Sequence, residues 1–293
     1  NEFLKTYQGN LVLNGHDPNV ARLGQANPDN KNVYYFGVDK YFKDRSSWLL
    51  ILSMFLMTMT SYFFSVGGLV SIILYGIYCY IKINKNITFK SFVCDGIKFL
   101  IPLFIGVLMS CILIVPTFYS LLNGRSGSET FNLLKLLVPD FGLKSLLYSA
   151  YSLGLSSLAL FSIVDNFFKK REYKFLSISL IFMIILPIIL YILNGFLYVD
   201  SKVLITFLPL FIILISSTLN NLVNKDINYR VVCLSTIFIC CISLFVKNFG
   251  LLGALLVDVP VVILCTYLVY KKSNLKYLYL LLALLFYLVY SIW

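Results

Sequence analysis

From Trp48 onward the chain is a nearly unbroken succession of apolar runs separated by short, mostly basic segments. Each run is close to the ~20 residues that a helix needs to cross roughly 30 Å of hydrocarbon. That pattern leaves few folds open, because in hydrocarbon every backbone N–H and C=O must be satisfied inside the chain, and long uninterrupted runs achieve this as helices. Composition points the same way. Of 293 residues, 59% are hydrophobic and only 13% charged, whereas an ordinary soluble domain carries about 25% charged residues. A soluble enzyme and a disordered protein are excluded, and the expected fold class is all-α, a polytopic transmembrane helix bundle.

Nine spans are expected: Trp48 to Ser65, Val66 to Ile81, Phe99 to Leu122, Leu146 to Phe168, Phe175 to Phe196, Val203 to Leu222, Val231 to Val246, Leu251 to Tyr270 and Leu275 to Trp293. Residues 48–81 form one apolar stretch too long for a single crossing, about 50 Å as one helix. Gly67-Gly68 near its middle offers a turn. Residues 47–293 thus read as a transmembrane helical domain. Residues 1–46 read as a polar segment, mostly irregular, until Val33 to Lys43, which looks like a short amphipathic helix leading into the first span. The chain starts at Asn1 without a signal-peptide pattern, so a piece of a longer protein is expected.

Alternating these spans sorts the basic residues unequally. One face collects sixteen Lys and Arg, among them Lys82, Lys169, Lys170, Arg171, Lys225 and Lys271. The other holds five: Arg125, Lys135, Lys144, Lys202 and Lys247. Cytoplasmic loops carry the Lys and Arg excess, so the first face is expected in the cytoplasm and the C-terminal Trp293 outside. The formal net charge of +11 then reflects topology and anionic lipid headgroups, with no folded basic domain to bind nucleic acid.

No soluble-enzyme signature is present: no GxGxxG or Walker loop, no HExxH and no nucleophile elbow. The seven cysteines form no CxxC pair, and with a single histidine there is no zinc spacing, so they read as apolar fillers. His16-Asp17-Pro18 reads as a turn, since two ligands without a third make a weak metal site. No cofactor is evident, and no ligand set for a divalent cation is offered.

Asp258 is the one acid well inside an expected span, in Leu256-Val257-Asp258-Val259-Pro260. An ionisable group in hydrocarbon is by default a functional hypothesis. With no basic partner in view, the preferred reading is a carboxylate paired with a backbone or hydroxyl donor at a kink set by Pro260, or a span that starts later than Leu251. Prolines 102, 116, 187 and 209 also fall within spans and are expected to bend them. Ala150 and Gly154, at small-xxx-small spacing, would let two helices approach closely.

The longest outward loop, Asn123 to Lys144, carries Arg125 on a glycine-flanked turn, Glu129, and an apolar run from Phe131 to Val138 with the length of a short interfacial helix. Asp140 follows. A second outward turn, Asn194 to Lys202, contains Asp200. Arg125, Lys144 and Lys202 with Glu129, Asp140 and Asp200 would therefore sit at outer headgroup depth. Cations there suit a lipid phosphate, and a carboxylate could take a proton from an acceptor hydroxyl.

The order of several segments resembles the YfhO-like family of bacterial polytopic membrane proteins. The match lies in Gly37-Val38-Asp39-Lys40-Tyr41-Phe42, Trp48 to Ser53, Ser61-Tyr62-Phe63-Phe64, Gly106-Val107-Leu108, Ile114-Val115-Pro116-Thr117, Asn123-Gly124-Arg125 and Leu193-Asn194-Gly195-Phe196-Leu197-Tyr198. The resemblance implies a GT-C-type glycosyltransferase in the bacterial plasma membrane. It would take a sugar from a polyprenyl-phosphate carrier and transfer it to a teichoic-acid-type cell-wall glycopolymer outside. Arg125, Asn194 and Lys202 are the matched positions. The acidic catalytic residue of such transferases sits in early helices without a counterpart here. A polytopic transporter or a lipid or polysaccharide flippase is the competing expectation, followed by a non-catalytic membrane partner of a synthesis complex.

Overall fold

The computed structural model describes residues 11–14, 33–36, 47–84, 87–124, 136–143, 146–147, 153–196, 198–246 and 252–271. Two short strands, β1 (Leu11–Asn14) and β2 (Val33–Phe36), pair in parallel with Leu11 opposite Val33 and Asn14 opposite Phe36. The rest of the regular structure described is helical: α1 (Trp48–Thr60), α2 (Tyr62–Ile83), α3 (Phe89–Met109), α4 (Cys111–Gly124), α5 (Ser157–Phe167), α6 (Arg171–Ile185), α7 (Pro187–Leu193), a 3-10 helix (Ser201–Phe207), α8 (Leu208–Asn224), α9 (Tyr229–Phe245) and α10 (Leu252–Lys271).

Among the described residues, four helices are long and apolar enough to cross a membrane: Phe63–Ile83, Phe89–Met109, Ser201–Asn224 and Leu252–Lys271. A fifth is reached if α6 and α7 count as one span despite an 88° bend between them. These helices make the chain a membrane protein. Helices α1, α5 and α9 are apolar but shorter.

The chain divides into two compact units, Asn1–Met59 with Ile83–Leu113, and Thr60–Lys82 with Ile114–Trp293. In the first, α1 lies directly on α3. A Cβ placed on Gly106 would come within 2.7 Å of the Ile51 carbonyl oxygen and 2.9 Å of the Met54 Cβ, so the missing side chain is what lets the backbones meet. Ser110, just past α3, donates its hydroxyl to the carbonyls of Gly106 at 3.0 Å and Phe55 at 3.4 Å. The flank of α3 carrying Phe104, Leu108 and Met109 is exposed, as a lipid-facing surface would be.

The second unit is built around α5. Nine of its eleven residues are buried, and α6, α8, α9 and α10 all pack on it. Phe161 and Val164 join Leu222, Ile227, Val232 and Val269 in one apolar cluster.

Several expected boundaries are corrected. Val33–Phe36 is a strand, not the start of a helix; residues 37–43 lie outside the described residues. The 48–83 stretch breaks at Ser61, not at Gly67-Gly68, because the Ser61 hydroxyl accepts the Phe64 N–H at 3.4 Å and starts a new helix. Gly67 stays helical and instead serves packing: its Cβ would fall 2.6 Å from Thr206 Oγ1 and 2.7 Å from Val203 Cγ2. The span expected from Phe99 begins ten residues earlier, at Phe89, capped by the Thr88 side chain, and it is interrupted at Ser110. Among the described residues of the span expected from Leu146, the helical ones are those of α5. Gly154 precedes that helix at φ 63°, a left-handed backbone that suits glycine, so it is no helix-packing motif; Ala150 lies outside the described residues. Phe175 to Phe196 is not straight, because Pro187 holds Leu186 extended at ψ 106° and ends α6.

Pro187 and Pro209 both open helices, whereas Pro102, Pro116 and Pro260 lie inside theirs. The expected span Leu275 to Trp293, residues 131–135 of the expected interfacial helix at 131–138, and His16-Asp17 lie outside the described residues.

Candidate functional site

The turn that follows α7 is held by one buried amide. Asn194, 2% exposed, donates its side-chain N–H groups to the carbonyls of Leu190 and Asp200, both at 2.8 Å. It thereby ties the last turn of α7 to the start of the 3-10 helix. Between these anchors the backbone takes left-handed values at Gly195 (φ 67°) and Phe196 (φ 62°). Glycine adopts these freely, but an aromatic residue does not, so the bracing offsets local strain.

Asp200 then starts the 3-10 helix. One carboxylate oxygen accepts the Lys202 N–H at 3.3 Å, and the other lies 3.5 Å from the Lys202 ammonium. The Lys202 side chain is 41% exposed and that of Asp200 24%. An exposed pair at this distance is worth under about 1 kcal/mol.

Helix α2 carries this turn at one end. Phe63 stacks on Tyr198 with ring centroids 6.0 Å apart and planes 10° off parallel, and Gly67 receives Val203 and Thr206. Some 22 Å further along the axis, at 1.5 Å per residue, Tyr78 meets Tyr173 edge-on at 5.6 Å. Tyr173 belongs to the basic segment Lys169 to Lys174. The two segments that the charge distribution assigns to opposite faces therefore lie at opposite ends of α2.

Asn194, Asp200 and Lys202 are thus brought together. Asp140 is described and exposed, but its anchoring is local: its N–H donates to the Ile185 carbonyl at 2.8 Å, and its carboxylate accepts the Gly142 N–H at 2.9 Å. It sits at the α6 end of α7, not at the Asn194 end. Arg125, Glu129 and Lys144 lie outside the described residues.

Asp258 is wholly buried, and its Oδ2 accepts the Ser157 backbone N–H at 2.5 Å. The carboxylate thus pairs with a backbone donor, in keeping with the preferred sequence reading. Ser156 receives the next amide, that of Leu158, at 3.3 Å, so α5 starts with its first two N–H groups satisfied.

A second buried acid, Asp165, was not singled out by the sequence reading. It pairs with Lys169 and accepts the Thr218 hydroxyl at 2.9 Å. Asn166 donates to Thr218 Oγ1 at 2.8 Å and to the Leu214 carbonyl at 3.0 Å. The available signal was the spacing of Asp165 and Lys169, four residues apart on one helical face. Among the described residues, no three His, Cys, Asp or Glu side chains converge to hold a metal. No family model, curated protein or solved structure matches the chain at a significant level.

Proposed function

We propose that this chain is the membrane-embedded part of a glycosyltransferase. It takes a sugar from a polyprenyl-phosphate carrier and passes it to a teichoic-acid-type cell-wall polymer on the outer face of a bacterial plasma membrane. In this reading α1, α5 and α9 join the longer helices and the bent α6–α7 pair, with the expected span Leu275 to Trp293 as the ninth, and the carrier phosphate lies against Lys202. The supporting observation is the Asn194 brace, which holds the backbone at Asp200, two residues before the exposed Lys202, at the end of α2 away from the basic segment at 169–174.

In such a transfer the acceptor hydroxyl oxygen bonds to the anomeric carbon of the sugar. The bond from that carbon to the phosphate oxygen breaks, and its electron pair leaves with the lipid phosphate. The hydroxyl proton passes to a carboxylate. Lys202 would meet charge that grows as the bond breaks, where a fixed cation is most effective. Asp200 is the carboxylate beside it. Arg125, Lys144 and Glu129 belong to the same rim in the sequence order, whereas Asp140 lies at the opposite end of α7 from Asn194.

The test is transfer from a polyprenyl-phosphate sugar by the full chain reconstituted in liposomes. Lys202→Met should lower turnover by at least about tenfold, the cost of roughly 1.4 kcal/mol of lost transition-state stabilisation, with membrane insertion unchanged. Unchanged turnover removes Lys202 from the site. A cysteine replacing Lys202 in a cysteine-free background should react with an impermeant thiol reagent on intact cells; reaction only after lysis would put it on the wrong face.

A transporter or flippase is the second reading, and the observation favouring it is the buried Asp165–Lys169 pair, since ionisable pairs within membrane bundles often mark ion or substrate pathways. Substrate flux into liposomes without sugar transfer would select it.

A further inference from the structure

Where α5 meets α8, Asp165, Asn166 and Thr218 form a buried polar pocket whose oxygens outnumber its hydrogens. All three side chains are buried. The Asn166 Nδ2 faces three acceptors: the Ser162 carbonyl at 2.8 Å, the Leu214 carbonyl at 3.0 Å and Thr218 Oγ1 at 2.8 Å. An amide nitrogen carries two hydrogens, so with both on the carbonyls Thr218 Oγ1 receives none. The one hydrogen of Thr218 goes to Asp165 Oδ2, at 2.9 Å. Asn166 Oδ1, on the other arm of the same amide, is buried with no hydrogen-bond partner. Such an unmet acceptor is costly. The Lys169 ammonium closes the pocket from the end of α5, paired with Asp165 Oδ2 on a side chain 19% exposed.

We propose that this pocket binds one alkali-metal cation in exchange for the Lys169 ammonium, held by Asp165 Oδ2, Thr218 Oγ1 and Asn166 Oδ1. The ion takes the space that the ammonium fills and enters by the opening that Lys169 leaves. The reach is right: amide bond lengths put Asn166 Oδ1 within about 5 Å of Thr218 Oγ1. Two oxygens that share a hard cation stand up to about 5 Å apart. The charge is right as well, since hard cations take oxygen ligands and one carboxylate among neutral oxygens balances a single positive charge. No covalent bond forms or breaks; Lys169 keeps its proton and moves out to water. Neither Lys202 nor a sugar carrier enters this inference, so it stands or falls separately from the transferase reading.

The experiment is thermal unfolding of the detergent-solubilised full chain in chloride salts of Na+, K+ or N-methylglucamine at one ionic strength. A cation that binds the folded state raises Tm. In the parent only the fraction of molecules with Lys169 withdrawn can bind, which weakens the apparent affinity by that fraction. Lys169→Met should therefore bind Na+ or K+ at least about tenfold more tightly than the parent, read as the salt concentration that gives half the rise in Tm. N-methylglucamine, too large for the pocket, should give no such rise. Lys169→Gln should behave alike and serves if the Met variant does not fold. Adding Asp165→Asn or Thr218→Val to the Lys169 variant should abolish the alkali-specific rise. Lys82→Met, which removes one charge elsewhere, should respond like the parent. Equal Tm in all three salts for the Lys169 variants, or an alkali-specific rise that survives Asp165→Asn, overturns the site.

Discussion

Asp258 caps a helix that lies a hundred residues earlier in the chain: its carboxylate, buried within α10, accepts the N–H of Ser157, the first residue of α5. A helix that begins among apolar side chains has N-terminal amides that water cannot reach, and each unmet donor is costly. A carboxylate at that end also meets the positive pole of the helix. The acid that most invites a transport role is thus occupied in holding α5 in place.

Replacing Asp258 by Leu should destabilise the protein by about 1–3 kcal/mol, the range for a lost cap that leaves a buried donor unmet. Asp258→Asn, which keeps an acceptor oxygen, should lose less. Thermal unfolding in detergent would register both. A Leu variant with the parent Tm would mean that α5 does not depend on this contact.

The Asp165–Lys169 pair should show strong coupling. Asp165 is 4% and Lys169 19% exposed in their side chains, so Lys169→Met strands a buried carboxylate, at a cost of about 3 kcal/mol. Adding Asp165→Asn should recover part of that loss. A double-mutant cycle by chemical denaturation measures the coupling, and strictly additive losses would show that the two charges act independently.

Two glycines should separate sharply from two others. Gly67→Ala drives a Cβ against Thr206 and Val203, and Gly106→Ala drives one against the Ile51 carbonyl; each should cost about 1–3 kcal/mol, as overpacking does. Gly96 and Gly253 have nothing within 4 Å of an added Cβ, and both lie inside helices. Alanine there should be neutral or stabilising by up to about 1 kcal/mol. Melting temperatures of the four variants decide it.

Asn194→Leu removes both donors of the brace while keeping the volume. The turn should loosen, with faster amide hydrogen exchange at residues 195–202 and little change in α8. Under the transferase reading, carrier affinity should fall together with turnover. Exchange equal to the parent would show that the left-handed residues at 195 and 196 are held by something else.

The identity of the membrane class was legible because it depends on bulk apolar length, which one chain displays without any partner. Boundaries were less so. The Ser61 break and the straight passage of α2 through Gly67-Gly68 turn on which residue finds a partner: a serine hydroxyl can start a helix, and a glycine can be wanted for close approach instead of for a turn. In the site, Asn194, Asp200 and Lys202 were legible as one loop because they are near in sequence. For Asp165 the i,i+4 spacing to Lys169 is legible, but its hydrogen bond from Thr218, 53 residues away, is not.

The sequence by itself determined that these segments are helices and that several of them are long and apolar enough to cross a membrane, since burial of apolar length and satisfaction of the backbone are local demands. Only the tertiary structure decided which polar groups are spent inside. Asp258 is committed to the Ser157 amide and Asp165 to the Thr218 hydroxyl as well as to nearby Lys169, whereas Lys202 stays exposed, because the distant donors that complete these buried contacts come from other helices and no local pattern names them.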